Sequence, residues 1–369
     1  MSDDFLMQMR PWFGREEKNA LANYMDEDGF LTEFKHTREF EDSIADYTGA
    51  RHCIVVNNGT ISLTLAAIAS GVESGDEVII PNYTMIASPN SIQMFGAKPV
   101  FVDVELETLC LDIDKVRCAI TSKTKAIMLV LPNGRFPKSG IEAFQKLCAD
   151  KGLLLIEDAA QSLGSLYPDG VHIGRKGVVG SFSFSTPKII STGQGGALIT
   201  DNNELASSIR KLKDFGRSSG GSDIHNTIGY NFKFTELQAV VGIEQMKKLK
   251  WRVERKKNIY LRYQRNLINT PEISFFQHDF RYTTPWFIDC IVEAREELKK
   301  HLLKSKIGVR VMYPPLNSQM AYQISGEYPV SELIGKKGLW LPSMSQISDE
   351  EIDRICFEIS KFFRKKFKT

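Results

Sequence analysis

The chain has 369 residues, two to three times the ~100–200 of a single domain, so a large domain with a smaller companion is expected. Hydrophobic residues at 42% and charged residues at 25% match ordinary globular proteins, which excludes a disordered, collagenous or coiled-coil chain. With 47 basic and 45 acidic residues the net charge is only +2, which offers nothing to attract nucleic acid or an anionic membrane.

In chain order, MSDDFLMQMRPWF at the start is acidic and lacks the basic-then-apolar pattern of a signal peptide. His52–Val56 (HCIVV) is expected to be a strand and Ile61–Ala69 the helix after it. Glu77–Ile80, Lys98–Val104 and Lys125–Leu131 continue as strands, Ile141–Asp150 is a helix, and Leu153–Ile156 is another strand. Short, continuously apolar strands alternating with helices predict a parallel sheet covered on both faces, an α/β core. The texture changes near residue 236. Glu236–Leu267 reads as one long basic helix, Trp286–Val292 and Gly308–Met312 as strands, and Glu350–Phe363 as a closing helix. The expected division is residues 1–235 as a large α/β domain, and 236–369 as a bridging helix with a smaller α+β domain.

No apolar run approaches the ~20 residues that span a bilayer. The six cysteines are scattered among apolar neighbours without a CxxC pair, which predicts buried thiols in a reducing compartment and no metal site. A cytoplasmic location is expected.

Four segments carry chemistry. Asn57-Asn58-Gly59-Thr60 sits between a strand and a helix, where exposed N–H groups and a hydroxyl at the positive end of the helix dipole suit a phosphate. Thr60 as a plain N-cap is the alternative. There is neither a Walker motif nor GxGxxG. Glu157-Asp158-Ala159-Ala160-Gln161 ends a strand, placing Asp158 where open α/β sheets bind ligands, unless it caps the next helix. SFSFSTPKIISTGQGG, residues 181–196, holds Lys188 among small residues flanked by Phe182, Phe184, Ile189 and Ile190. Such flanks predict a partly buried amine, which desolvation makes nucleophilic. Gly229-Tyr230-Asn231-Phe232-Lys233 precedes the long helix, and a turn with Asn231 as a cap is its simplest reading.

Together and in this order, these segments resemble the DegT/DnrJ/EryC1/StrS family of sugar aminotransferases. The resemblance begins at REFEDSIADYTGARHCIVVNNGT and runs through SGDEVIIPNYTMIAS, GLLLIEDAAQSLGS, SFSFSTPKIISTGQGGALIT and IGYNFKFTELQAVVG to YPPLN and LPSMSQISDEEI. It implies an aspartate-aminotransferase-like fold, fold type I, with pyridoxal 5′-phosphate as cofactor and pyridoxamine 5′-phosphate as its aminated form. Lys188 aligns with the lysine that forms a Schiff base with the cofactor and then shuttles the proton. Asp158 aligns with the carboxylate at the pyridine nitrogen, and Gln161 with the partner of the ring hydroxyl. Gly59, Thr60 and Ser183 align with the phosphate cradle. Asn231 aligns with a phosphate contact donated by a neighbouring subunit, which implies a homodimer with a shared site. A lysine at 188, where the family's dehydrases carry histidine, implies transamination.

Departures from the family pattern fall mostly on the substrate side, with Met85 the one among the expected cofactor-binding residues. Met85 stands where an aromatic stacks on the ring, with Tyr83 two residues earlier. HxYG reads Leu131-Pro132-Asn133-Gly134, the following acid is Lys138, and the histidine of YPxxH is Asn317. Lys233 stands for an arginine and Gln194 for a glutamate. The expected reaction moves an amino group from L-glutamate to a nucleotide-linked 4-keto-6-deoxy sugar. Arg135 and Arg310 are candidates to meet the anionic ligands, with surface salt bridges as their alternative role. A smaller phosphorylated ketone or another keto-sugar is the second reading. A non-catalytic binding protein is the third, and it would be expected to lose the lysine, the acid or the cradle.

Overall fold

The structure is a computed structural model that describes residues 5–27, 29–218, 223–322 and 324–366. Seven strands form the first sheet: β1 (His52–Val56), β2 (Glu77–Pro81), β3 (Lys98–Val102), β4 (Thr124–Val130), β5 (Leu154–Asp158), β6 (Val179–Ser183) and β7 (Gly196–Thr200). Their order is β1-β7-β6-β5-β4-β2-β3. Only the pairings of β7, with β1 and β6, are antiparallel. The helices in this part of the chain are α1 (Arg15–Asp26), α2 (Lys35–Thr48), α3 (Gly59–Ala69), α4 (Ala87–Gln93), α5 (Ile113–Ala119), α6 (Ile141–Lys151) and α7 (Asn203–Lys213).

The strands are apolar on both faces because both faces are covered. Side chains alternate across a strand. Val55, Ile79, Ile127 and Leu129 enter one core with Phe40, Ile44 and Phe144. Ile54, Val56, Val78, Ile80 and Met128 enter the opposite one with Leu63 and Leu65 of α3.

The expected single helix from Glu236 to Leu267 is two, α8 (Glu236–Lys247) and α9 (Leu249–Asn266), parted at Lys248. The ammonium of Lys248 is held by Glu16 and Glu17 of α1. The break lets α8 lie on α1 and α2 while α9 packs on α12 (Asp349–Lys366). Between them come β8 (Ile273–Phe275), β9 (Ile288–Val292), α10 (Arg295–Lys304), β10 (Arg310–Val311), α11 (Pro329–Lys337) and β11 (Gly338–Leu341). The four strands form an antiparallel sheet in the order β10-β11-β9-β8. Leu6 bridges to Ile307 and joins the core of this second sheet, so the start of the chain packs with its end.

One face of the second sheet, with Ile288, Cys290 and Val292, packs on α9, α10 and α12. The other presents Trp286, Phe287 and Trp340 to Tyr83, Val104 and Leu109 from the first part of the chain. This aromatic seam brings the second sheet up to the carboxyl edge of the first.

Candidate active site

A cavity of about 620 Å³ opens at the carboxyl ends of β1, β2, β5 and β6. Ligands settle there in open α/β sheets because strand ends and helix N-termini converge. Gly59, Thr60, Met85, Asp158, Gln161, Ser183, Lys188 and Arg310 all line it. They come from five separate segments of the sequence.

The floor follows from local chain chemistry. Asn58, not Thr60, caps α3: its Oδ1 accepts the N–H of Ile61 at 3.0 Å, and its carbonyl accepts that of Ser62. The first N–H groups of a helix lack partners within it. With Ile61 and Ser62 served, those of Gly59 and Thr60 are left at the positive end of the helix dipole. Glycine is required at 59, because a Cβ there would stand 2.8 Å from Cβ of Ser183. At Gly196 a Cβ would fall 2.6 Å from the carbonyl oxygen of Asn58. Both glycines let β1, β6 and β7 close up beneath the cradle.

Asp158 ends β5 and is 5% exposed. Its Oδ2 accepts the hydroxyl of Ser88 at 2.7 Å and its Oδ1 the N–H of Ala160 at 3.2 Å. No helix follows it, so it is not a helix cap. Burial raises its pKa, against the pull of those two donors and of the Lys188 ammonium. Gln161 accepts the N–H of Asn133 through Oε1, which leaves its amide NH₂ to face the cavity.

Lys188 lies in the turn after β6, its N–H held by the carbonyl of Ser185. Burial pushes its amine down to about 8, with Asp158 opposing and Arg310 adding to the shift. Arg310 opens β10 at the mouth, exposed, its guanidinium over the Trp340 ring at 5.5 Å. No acidic group pairs with it among the described residues. Tyr313 completes that wall, its hydroxyl pushed up to about 12 by burial.

Three expected site residues lie elsewhere. Arg135 is 3% exposed and away from the cavity, its guanidinium bound to Asp289 of β9 by two bonds of 3.2 and 2.7 Å. Asp289 alternates with Ile288 and Cys290 and so faces the seam, where Arg135 meets it; the expected ligand contact is corrected to a structural pair. Asn317 is also turned away. Its Oδ1 accepts the Asn82 amide at 2.8 Å, and its N–H donates to Asn82 Oδ1 at 2.8 Å. Asn231 is exposed and bridges Asp214 through its backbone, outside the cavity of its own chain. Thr235, not Asn231, caps the following helix. Met85 is on the wall but half-exposed, its sulfur 3.0 Å from the N–H of Ala87.

Ser88, Trp286 and Tyr313 belong to the site and were not singled out from sequence. Ser88 sits within NYTMIAS, where a small hydroxyl facing the acid left no distinctive spacing. Trp286 reads only as the start of an apolar strand.

The set fits pyridoxal phosphate. Free amides and hydroxyls at a helix N-terminus suit its phosphate, a buried carboxylate its ring nitrogen, an amide its ring hydroxyl, and an amine of lowered basicity its aldehyde. Among the described residues no group of His, Cys, Asp and Glu could hold a metal ion.

The chain is 32% identical over 361 residues to GDP-perosamine synthase of Escherichia coli O157:H7, covering 97% of this chain and 98% of that protein. It is 31% identical to spore coat polysaccharide biosynthesis protein SpsC of Bacillus subtilis (strain 168), covering 95% of each. The crystal structure of S. venezuelae DesV in complex with a ketimine intermediate superposes with a TM-score of 0.88 at 30% identity, covering 94% of both chains. The DegT/DnrJ/EryC1/StrS aminotransferase family matches residues 13–360, and the chain belongs to this family of pyridoxal-phosphate-dependent sugar aminotransferases.

Proposed function

We propose that the protein transfers an amino group from L-glutamate to the ketone of a nucleotide-linked 4-keto-6-deoxy sugar, as a GDP-perosamine synthase does, in making a surface polysaccharide or glycan. The observation that carries this reading is the convergence of the Lys188 amine, the Asp158 carboxylate and the free amides of Gly59 and Thr60 on one cavity. When bound, the cofactor supplies a reactive aldehyde and a ring that withdraws electrons.

The residues divide the work. Gly59, Thr60 and Ser183 hold the phosphate and fix the ring's position. Asp158, locked by Ser88 and Ala160, holds a proton at the ring nitrogen. Gln161 donates to the ring hydroxyl. The Lys188 nitrogen would take the proton lost by the donor's α-carbon and return it two atoms along, beyond the transferred nitrogen, in the reverse order for the acceptor. Arg310 faces the anionic groups of both substrates, which visit one site in turn. Asn231, exposed on its own chain, reaches the phosphate of a second copy, so the working unit is a homodimer. The six free cysteines suit a cytoplasmic setting; among the described residues no helix is long and apolar enough to cross a membrane.

The purified protein should be yellow, and glutamate should bleach it. Lys188→Ala should abolish turnover of UDP-, dTDP- and GDP-linked 4-keto-6-deoxy sugars; retained turnover would refute the assignment of roles. Failure of the wild type with all three sugars would favour another keto-sugar or a smaller phosphorylated ketone.

A further inference from the structure

One side chain outside the cofactor's own partners meets Lys188 directly. The Trp286 indole lies against the amine, with Nζ 4.4 Å from the ring centroid. Trp286 is 3% exposed and held at each polar atom. Its N–H donates to Asn133 Oδ1 at 3.1 Å, its carbonyl accepts Lys256 Nζ at 2.8 Å, and its Nε1–H donates to the carbonyl of Pro187 at 2.7 Å. Phe287 N–H donates to the same Asn133 oxygen at 2.8 Å.

Asn133 is the hinge of this arrangement. Its φ of 56° and ψ of 26° are left-handed, a conformation asparagine tolerates better than most residues. The turn aims its N–H at Gln161 and its side-chain oxygen at the backbone of Trp286. One residue therefore ties the ring-hydroxyl partner to the wall beside the lysine. The Nε1 bond to Pro187 ties that wall to the lysine's own loop.

We propose that Trp286 is a positioning residue for Lys188: its face receives the charged amine whenever that amine is not bonded to the cofactor, and Asn133 holds the face in place. The inference rests on the transamination reading, in which the lysine nitrogen accepts one proton and must give one back. A cavity strips part of the hydration from an ammonium, and an aromatic face replaces part of it. Without that seat the ammonium would turn to the Asp158 carboxylate, whose charge acts on it and which the ring nitrogen requires.

The test loads each variant with pyridoxamine phosphate directly, so that the amine is free and no turnover is needed. Lysines are labelled with an amine-selective reagent at graded pH, and the Lys188 peptide is quantified by mass spectrometry. Trp286→Leu should lower the pH of half-labelling by about half a unit or more, roughly a threefold rise in neutral amine below that pH. Trp286→Phe, with a smaller face, should shift it less. Asn133→Gly, which keeps the left-handed backbone but frees the wall, should shift it in the same direction with the indole still present. An unchanged value in all three would make the indole a plain wall. A rise towards the ordinary lysine value in Trp286→Leu would make it a seal against water. Either result overturns the proposal. If glutamate fails to bleach the wild type while the shifts appear, the donor assignment falls and the positioning role stands.

Discussion

Arg135→Ala removes the cation from a pair whose side chains are 4% and 1% exposed. Besides its two bonds to Asp289, Arg135 donates through Nε to the carbonyl of Thr108 at 3.0 Å and lies 5.2 Å from the Phe276 ring centre. Alanine would leave the Asp289 carboxylate buried and uncompensated, which costs about 3–5 kcal/mol. Unfolding entropy near ~2.1 cal/mol/K per residue gives about 0.8 kcal/mol/K for the 369 residues, so Tm should fall by about 4–6 °C. Calorimetry with cofactor in excess would measure this. The double variant Arg135→Met/Asp289→Leu should regain most of the loss, because an apolar pair leaves no charge to satisfy. KM for the sugar, measured well below the transition, should change less than about threefold, equivalent to under ~0.7 kcal/mol. An unchanged Tm with a KM raised tenfold or more would show that Arg135 reaches the ligand, and would refute the structural reading.

Three further outcomes follow from the geometry. Gly59→Ala should weaken cofactor retention about fivefold or more, because overpacking costs ~1–3 kcal/mol at the point where Ser183 already closes the cradle; equilibrium dialysis against pyridoxal phosphate would measure it. Capture of pyridoxal phosphate by the cofactor-free chain should speed up with pH and level off above about 8, since only the neutral amine attacks; a rate still climbing towards the ordinary lysine value of 10.5 would contradict the lowered value. Asp158→Asn should move that plateau to lower pH, because the carboxylate favours the charged amine and its loss leaves burial and Arg310 unopposed; a plateau moved upward would mean that Asp158 does not act on Lys188 through charge.

The sequence made the first sheet legible because buried parallel strands are apolar on both faces. His52–Val56 matches β1 in full, and the expected strands ending near Val104, Leu131 and Ile156 differ from β3, β4 and β5 by one or two residues at one or both edges. Strands β6 and β7 were harder to see, since Ser181, Ser183 and two glycines interrupt their apolar pattern. The kink at Lys248 was invisible. It has neither proline nor glycine to mark it, and it is set by what α8 and α9 each pack against.

Chain order and residue type carried the family resemblance and, with it, the cofactor: a glycine-threonine step after a strand, an acid ending another and a lysine among small residues stand in the family's order, and all of them line one cavity. Tertiary structure alone decided the rest. It paired Arg135 with Asp289, turned Asn317 to Asn82 and laid Trp286 beside Lys188, all between residues far apart in the chain. The physical reason is that a charge or ring takes its role from what surrounds it after burial, and those surroundings are assembled only when the two sheets meet at their aromatic seam.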